Sequence, residues 1–310
     1  MPDAIDANVA PVALRIRGTY TALVTPFRDE PGEPIDWDAF DALLEQQVAS
    51  GISGVVPCGT TGESPTLSHE EHSQVVERAV KRVRGRVQVI AGTGSNSTRE
   101  AIDLSRHAAS AGVDAVMIVV PYYSRPTQEG LFRHFLAVAA SVRVPVLVYN
   151  VPARTGIDLA PETLARIAEA APNVVGVKEA TGNVLRAQKI VQTLGDRLTV
   201  LSGDDALTLP MIAVGARGVI SVTSNVLPAE TARATNLALE GEVEPARRAH
   251  LALLPVHEAM FLEASPAPVK AALSLRGLTK DVVRPPLAVC TGSTRNAISS
   301  ALEAFGRGRA

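Results

Sequence analysis

Two cysteines in 310 residues, Cys58 and Cys290, are too few and too far apart for a disulfide framework, and they suit a reducing compartment. Neither sign of charge is in excess: 30 lysines and arginines stand against 32 aspartates and glutamates, a formal net charge of -2. That balance gives no electrostatic case for nucleic acid or for an acidic membrane surface. No apolar segment approaches the roughly 18 residues of a membrane span. The start, MPDAIDANVAPVALRIRG, carries Asp3 and Asp6 and lacks the basic stretch and apolar run of a secretory signal. These absences lead to a soluble, cytoplasmic protein with a loose N-terminal tail over residues 1–17. At 46% hydrophobic residues the chain can bury a large core without staples.

What is present is an alternation. Short apolar runs at 19–24, 52–57, 87–91, 115–120, 145–149, 174–178, 198–202 and 217–222 are rich in valine and isoleucine and barely alternate with polar residues. Parallel strands covered on both faces read this way. Between them lie segments of helical period, such as Trp37, Phe40, Leu43, Leu44 and Val48. Ser68 to Glu71 and Ser97 to Glu100 both have the form of a capping box. Eight strand–helix units predict an α/β fold, a closed (β/α)8 TIM barrel over residues 18–227, with a doubly wound open sheet as the topological alternative. Residues 228–310 read as the last barrel helix and a C-terminal helical subdomain, interrupted by Pro285-Pro286-Leu287.

The sixth run, Val174-Val175-Gly176-Val177-Lys178-Glu179, ends on a lysine. Burial disfavours a lysine's charged form, and the neutral amine can attack a ketone to form a Schiff base. The plain alternative is a strand-edge lysine with its head in water. Barrel active sites lie where strands end, and other reactive residues gather there: Gly59-Thr60-Thr61-Gly62-Glu63, Pro121-Tyr122-Tyr123, Tyr149-Asn150-Val151-Pro152-Ala153-Arg154-Thr155-Gly156 and Ser202-Gly203-Asp204-Asp205. Each has an ordinary reading as a turn, a strand aromatic or a surface charge. Their coincidence around Lys178 suits carbonyl chemistry on an anionic substrate.

With GTTGE, YNVPARTG and VVGVKEATG in that order and spacing, the chain resembles the pyruvate-dependent class I aldolases, the superfamily of N-acetylneuraminate lyase and dihydrodipicolinate synthase. The resemblance runs from about Gly18 to the final helices, and Arg154 after YNVP favours the dihydrodipicolinate synthase branch. It implies condensation of pyruvate with aspartate-semialdehyde in the diaminopimelate route to lysine, without cofactor or metal. Lys178 becomes the Schiff-base nucleophile and Tyr149 the proton shuttle. Thr60 links that phenol to Tyr123, which in relatives crosses from a neighbouring subunit, implying a homodimer or homotetramer. Thr61 holds the pyruvate carboxylate, Arg154 sits at the entrance, and Gly203 and Ile220 line the pocket. In lysine-inhibited relatives the allosteric pocket uses positions matching Pro65, His69, His72, Asn96, Glu100 and Tyr122.

Other signals carry less. His69 and His72 share a helix face, but the spacing is not HExxH and no third metal ligand is evident. Gly92-Thr93-Gly94 is half a dinucleotide fingerprint with Ser97 in the third glycine's place, so a nicotinamide cofactor is rejected. Cys58 reads as packing. Ser265 stands where many relatives have asparagine. Two other functions compete: an aldolase cleaving a 2-keto-3-deoxy sugar acid or sialic acid, and a non-catalytic binding protein on the same barrel.

Overall fold

Every valine-rich run becomes a strand in the computed structural model, which describes residues 15–307. The strands are β1 (Gly18–Ala22), β2 (Gly54–Val56), β3 (Gln88–Gly92), β4 (Ala115–Val119), β5 (Val146–Asn150), β6 (Val174–Glu179), β7 (Thr199–Ser202) and β8 (Gly218–Ser221). All neighbours are parallel and β8 pairs back onto β1, so the barrel is closed and the open sheet is excluded. Closure needs the β1 and β8 backbones to touch at their first residues. Gly218, at φ 149°, makes that possible, because a Cβ there would lie 2.0 Å from the Gly18 carbonyl oxygen.

The strands hold two cores apart. Tyr20, Ile90, Met117, Leu147, Leu201 and Ile220 fill the barrel interior. Val55, Val89, Val116, Val148, Val177 and Val200 face outward and pack under the helices. Full burial of side chains of this kind contributes about 1.5–3 kcal/mol each.

Helices α1 (Trp37–Ala49), α2 (His69–Val83), α3 (Thr98–Ala111), α4 (Gln128–Ala140), the single-turn α5 (Pro152–Thr155), α6 (Pro161–Ala170), α7 (Val184–Leu194), α8 (Thr208–Ala213) and α9 (Pro228–Leu239) occupy the crossovers and the turn after β8. Polar N-caps start several of them: the side chains of Asp36, Ser68, Thr127 and Asn183 each accept a backbone N–H of the first turn. The expected stripe of α1 buries Phe40, Leu43 and Leu44, together with Gln47, whose amide donates to the Ser224 carbonyl and accepts from the Thr21 hydroxyl.

Helices α10 (Val243–Ala259), α11 (Ala267–Leu275) and α12 (Gly292–Arg307) form the C-terminal helical part, with the Pro285-Pro286 stretch between α11 and α12. Of the segment expected as a tail, residues 1–14 lie outside the described residues. Ile16 is buried in the interior core, and Arg17 donates to the Leu239 carbonyl. No helix among the described residues is long and apolar enough to cross a membrane.

Candidate active site

A bulge aims the lysine. Val146 pairs with Val174 but Leu147 pairs with Gly176, so Val175 is an extra residue on β6. Without it, strict alternation from Val175, which packs on the interior core, would send Lys178 outward. With it, Val177 faces the helices and Lys178 turns inward beside Tyr149, its register partner on β5. Lys178 is 6% exposed, and its Nζ lies 4.2 Å from the centroid of the Tyr149 ring. Among the described residues the amine has neither an ion-pair nor a hydrogen-bond partner. The run barely alternates in sequence, so the bulge was not anticipated; Gly176 inside it was the available signal.

Tyr149 forms part of the wall of a cavity of about 460 Å³ at the C-terminal ends of the strands, shared with Gly59, Thr60, Tyr122 and Arg154. Thr60 is half-buried and Thr61 is buried at 4%. Arg154 is exposed on α5, at the open side. Four of the non-glycine residues in the left-handed region, Cys58, Glu63, Tyr123 and Arg125, belong to the two loops bordering this cavity, where such strain is characteristic of a working site.

The GTTGE loop is braced from behind. Glu63, at φ 55°, is buried and forms an ion pair with the fully buried Lys270 of α11, while its other oxygen accepts the Arg284 N–H at 3.0 Å. Arg284 then grips both carboxylate oxygens of Glu71, at 2.7 and 2.8 Å, and its guanidinium and the Lys270 ammonium both stand over the Phe27 ring. Burial pushes the Lys270 ammonium down to about 8, with Glu63 opposing. Glu63 stands within the GTTGE stretch of the sequence, but nothing in the sequence points to its contact with Lys270.

The same cavity continues to Pro65, His69, His72 and Glu100, which with Tyr122 are five of the six positions expected for an effector. Asn96 is exposed and does not line it. His69 Nε2 lies 2.6 Å from the Glu100 carboxylate, which also accepts from the Ser95 hydroxyl. These bonds, Ser95 first, hold Glu100 below the usual carboxylate range. That arrangement corrects the second capping box. Ser97 accepts the Glu100 N–H at 3.4 Å, but the carboxylate turns away to Ser95 and His69, whereas Ser68 and Glu71 form both arms of the first box. The buried His72 donates from Nε2 to the Gly92 carbonyl at 2.8 Å, and burial holds its imidazole below the ordinary value. The two histidines thus serve different partners. Cys58 is buried, and burial pushes its thiol far up, as a packing residue.

Several expected site residues do not line this cavity. Tyr123 is 91% exposed and, unlike Tyr122, does not line the cavity. Ile220 is packed into the interior core at 1% exposure. Gly203 lets β7 approach β6 just beyond Lys178: its N–H donates to the Glu179 carbonyl at 2.8 Å, and a Cβ would lie 2.5 Å from the Ala180 methyl. Ile220 and Gly203 do not line the cavity, and neither do Lys178, which stands behind Tyr149, and Thr61. Asp205 is buried and accepts the N–H groups of Val222 and Thr223, fastening the end of β8. A buried amine beside a phenol, with hydroxyls and an arginine at one mouth, can form and protonate a carbon–nitrogen double bond on an anionic ketone.

Residues 15–305 match the sequence model of the dihydrodipicolinate synthetase family. A 4-hydroxy-tetrahydrodipicolinate synthase of Sorangium cellulosum strain So ce56 is 57% identical over 289 residues, covering 93% of this chain and 96% of the relative. The crystal structure of the chloride-inhibited dihydrodipicolinate synthase of Acinetobacter baumannii complexed with pyruvate superposes with a TM-score of 0.92 at 40% identity, covering 94% of this chain and 99% of that one. The structure of the enzyme from Cyanidioschyzon merolae with lysine bound gives 0.90 at 38% identity, over 94% and 98% of the two chains.

Proposed function

The chain belongs to the dihydrodipicolinate synthetase family, and from that premise we propose that it condenses pyruvate with L-aspartate-4-semialdehyde to 4-hydroxy-tetrahydrodipicolinate, a lyase-type reaction of lysine and diaminopimelate biosynthesis. The observation that carries this reading is the unpartnered, buried amine of Lys178 held 4.2 Å from the Tyr149 ring. The amine adds to the pyruvate carbonyl carbon and water leaves, giving an iminium that draws electrons from the adjacent methyl. Loss of a methyl proton yields an enamine. Its carbon attacks the aldehyde carbon of the second substrate, whose oxygen takes up a proton as it becomes a hydroxyl. The amino group of that substrate then attacks the iminium carbon, closes the ring and displaces Lys178 as the free amine.

Each proton movement needs a group that both gives and takes, and Tyr149 is the one in contact with the amine. Thr60 would relay protons between Tyr149 and a second phenol. Tyr123 supplies that phenol to a partner copy, which its 91% exposure and left-handed backbone support, so the working unit is a homodimer or a dimer of dimers. Thr61 would hold the pyruvate carboxylate and Arg154 the carboxylate of the aldehyde substrate. Gly203 and Ile220 act by shaping strand ends rather than by contact.

The far end of the cavity would take L-lysine as a feedback inhibitor, as the lysine-bound relative suggests. Glu100 offers a carboxylate for an ammonium, and His69, His72, Pro65 and Tyr122 form its surroundings; Asn96 would have to reach in from the rim. Two unpaired cysteines suit a cytoplasmic location. The test is a coupled initial-rate assay with pyruvate and aspartate-semialdehyde, compared with pyruvate release from sugar acids, each titrated with L-lysine. Turnover of the first pair, suppressed by lysine, is the expected result. Turnover of sugar acids alone would overturn the assignment, and unchanged rates at millimolar lysine would remove the effector role.

A further inference from the structure

Directly behind the reactive pair lies a second pair. Asn150 and Glu179 are register partners one residue beyond Tyr149 and Lys178, and in a parallel sheet they face the opposite side. Both are buried, at 1% and 2% exposure. A buried carboxylate and a buried amide on the helix side of a barrel require partners, and one residue of α7 supplies most of them. Arg186 donates from Nε to Glu179 at 3.0 Å and from one terminal nitrogen to Asp158 at 3.0 Å; the other terminal nitrogen donates to the Leu159 carbonyl. Asp158 accepts from the Asn150 amide at 2.8 Å, and the Asn150 side-chain oxygen accepts the Leu159 N–H at 3.1 Å. The remaining Glu179 oxygen takes the Thr181 N–H at 2.9 Å. Asp158 and Leu159 belong to the segment leaving α5, the turn that carries Arg154.

We propose that Arg186 is a positioning residue for the reaction, a clamp that sets the relative placement of Lys178, Tyr149 and the Arg154 turn through Glu179, Asn150 and Asp158. The proposal rests on the Schiff-base reading of the site. Neighbouring residues of one strand share a rigid backbone, so a shift of the outer pair moves the inner pair with it. The clamp needs a planar fork that meets two carboxylates at fixed angles while one terminal nitrogen reaches a carbonyl. Arginine has that fork and lysine does not. The bulge at Val175 sets the register in which the last four residues of β6 pair with β5, and the clamp holds the outer pair of that register, Asn150 and Glu179, at the strand ends.

The test measures two rates in the full-length protein: single-turnover formation of the pyruvate imine, trapped by borohydride, and steady-state kcat and KM for the aldehyde substrate. Glu179→Gln and Arg186→Ala are expected to slow imine formation and kcat by about 10²-fold, the cost of a small misplacement of reacting groups. Arg186→Lys restores the charge without the fork and should recover about tenfold less than the wild-type rate. Asp158→Asn loosens only the Arg154 side, so it should raise the aldehyde KM several-fold and spare imine formation. Ile298→Ala, a buried truncation in α12, serves as a destabilised control that keeps wild-type rates. If Arg186→Ala does not fold, Glu179→Gln and Arg186→Lys decide. Imine formation within about threefold of wild type in these variants, whatever their melting temperatures, would overturn the clamp. A wild-type protein that forms no pyruvate adduct would instead overturn the reaction itself.

Discussion

Two lysines are buried among the described residues, and their surroundings differ in nearly every respect. Lys270 is fully buried, ion-paired with Glu63, donates to the Val282 carbonyl at 2.8 Å and stands 4.0 Å over the Phe27 ring. Lys178 is almost as buried but has neither an ion pair nor a hydrogen bond among the described residues; its Nζ stands 4.2 Å from the centroid of the Tyr149 ring, and it is Tyr149 that lines the cavity. The Lys270 amine meets three framework groups, and through them it joins the C-terminal helices to the GTTGE loop. The Lys178 amine has no such partners among the described residues. Burial alone therefore does not mark a chemical lysine. Burial without partners, beside a phenol that lines a cavity, does.

The comparison breaks most sharply if the two lysines are exchanged in a mutational test. Lys178→Ala should lower kcat/KM by on the order of 10⁴-fold or more, since no other amine is placed to form the imine, and should leave thermal stability equal or higher. Steady-state rates and a melting curve on the same preparation read both. Lys270→Met should instead cost about 3–5 kcal/mol of stability by stranding the Glu63 carboxylate, and Lys270→Met combined with Glu63→Gln should recover most of it. Denaturant unfolding checks this, and a stable single variant would mean that the pair does not brace the loop. Tyr149→Phe keeps the ring over Lys178 but removes the phenolic hydroxyl; about 10²-fold in kcat with little change in unfolding free energy is expected.

A third buried nitrogen base sharpens the contrast on the acid side. His134 bonds the Thr98 hydroxyl through Nδ1 at 2.9 Å, has no carboxylate beside it, and is pushed down by burial to about 4. Because the folded protein resists protonation there, the contribution is complete above about pH 6.5 and is lost as pH falls through 4. The unfolded chain takes up the proton first. Replacing His134 with Gln should flatten unfolding free energy between those pH values by about 1–3 kcal/mol. An unchanged slope would mean the ring protonates without penalty.

The strands and their order were legible because buried parallel strands leave near-continuous apolar runs, and Lys178 stood out as the one charge ending such a run. The loops GTTGE and YNVPARTG were legible as sequence because their chemistry is local. What was not legible depends on distance or on backbone register. The Glu63–Lys270 pair joins residues from opposite ends of the chain, and neither residue type announces a partner. Arg186 sits in a helix beside ordinary polar residues, and only the fold brings Glu179 and Asp158 to it. The bulge at Val175 reverses the face of everything after it, which a periodicity argument over six residues cannot detect. Ser97 and Glu100 have the right spacing for a capping box, yet Ser95 and His69 compete for the carboxylate.

Peptide mapping by mass spectrometry after incubation with pyruvate and borohydride addresses the distinction between the two lysines most directly. A reduced three-carbon adduct confined to the peptide containing Lys178, with the Lys270 peptide unmodified, is the predicted result. An adduct on Lys270, or none on Lys178, would contradict the account.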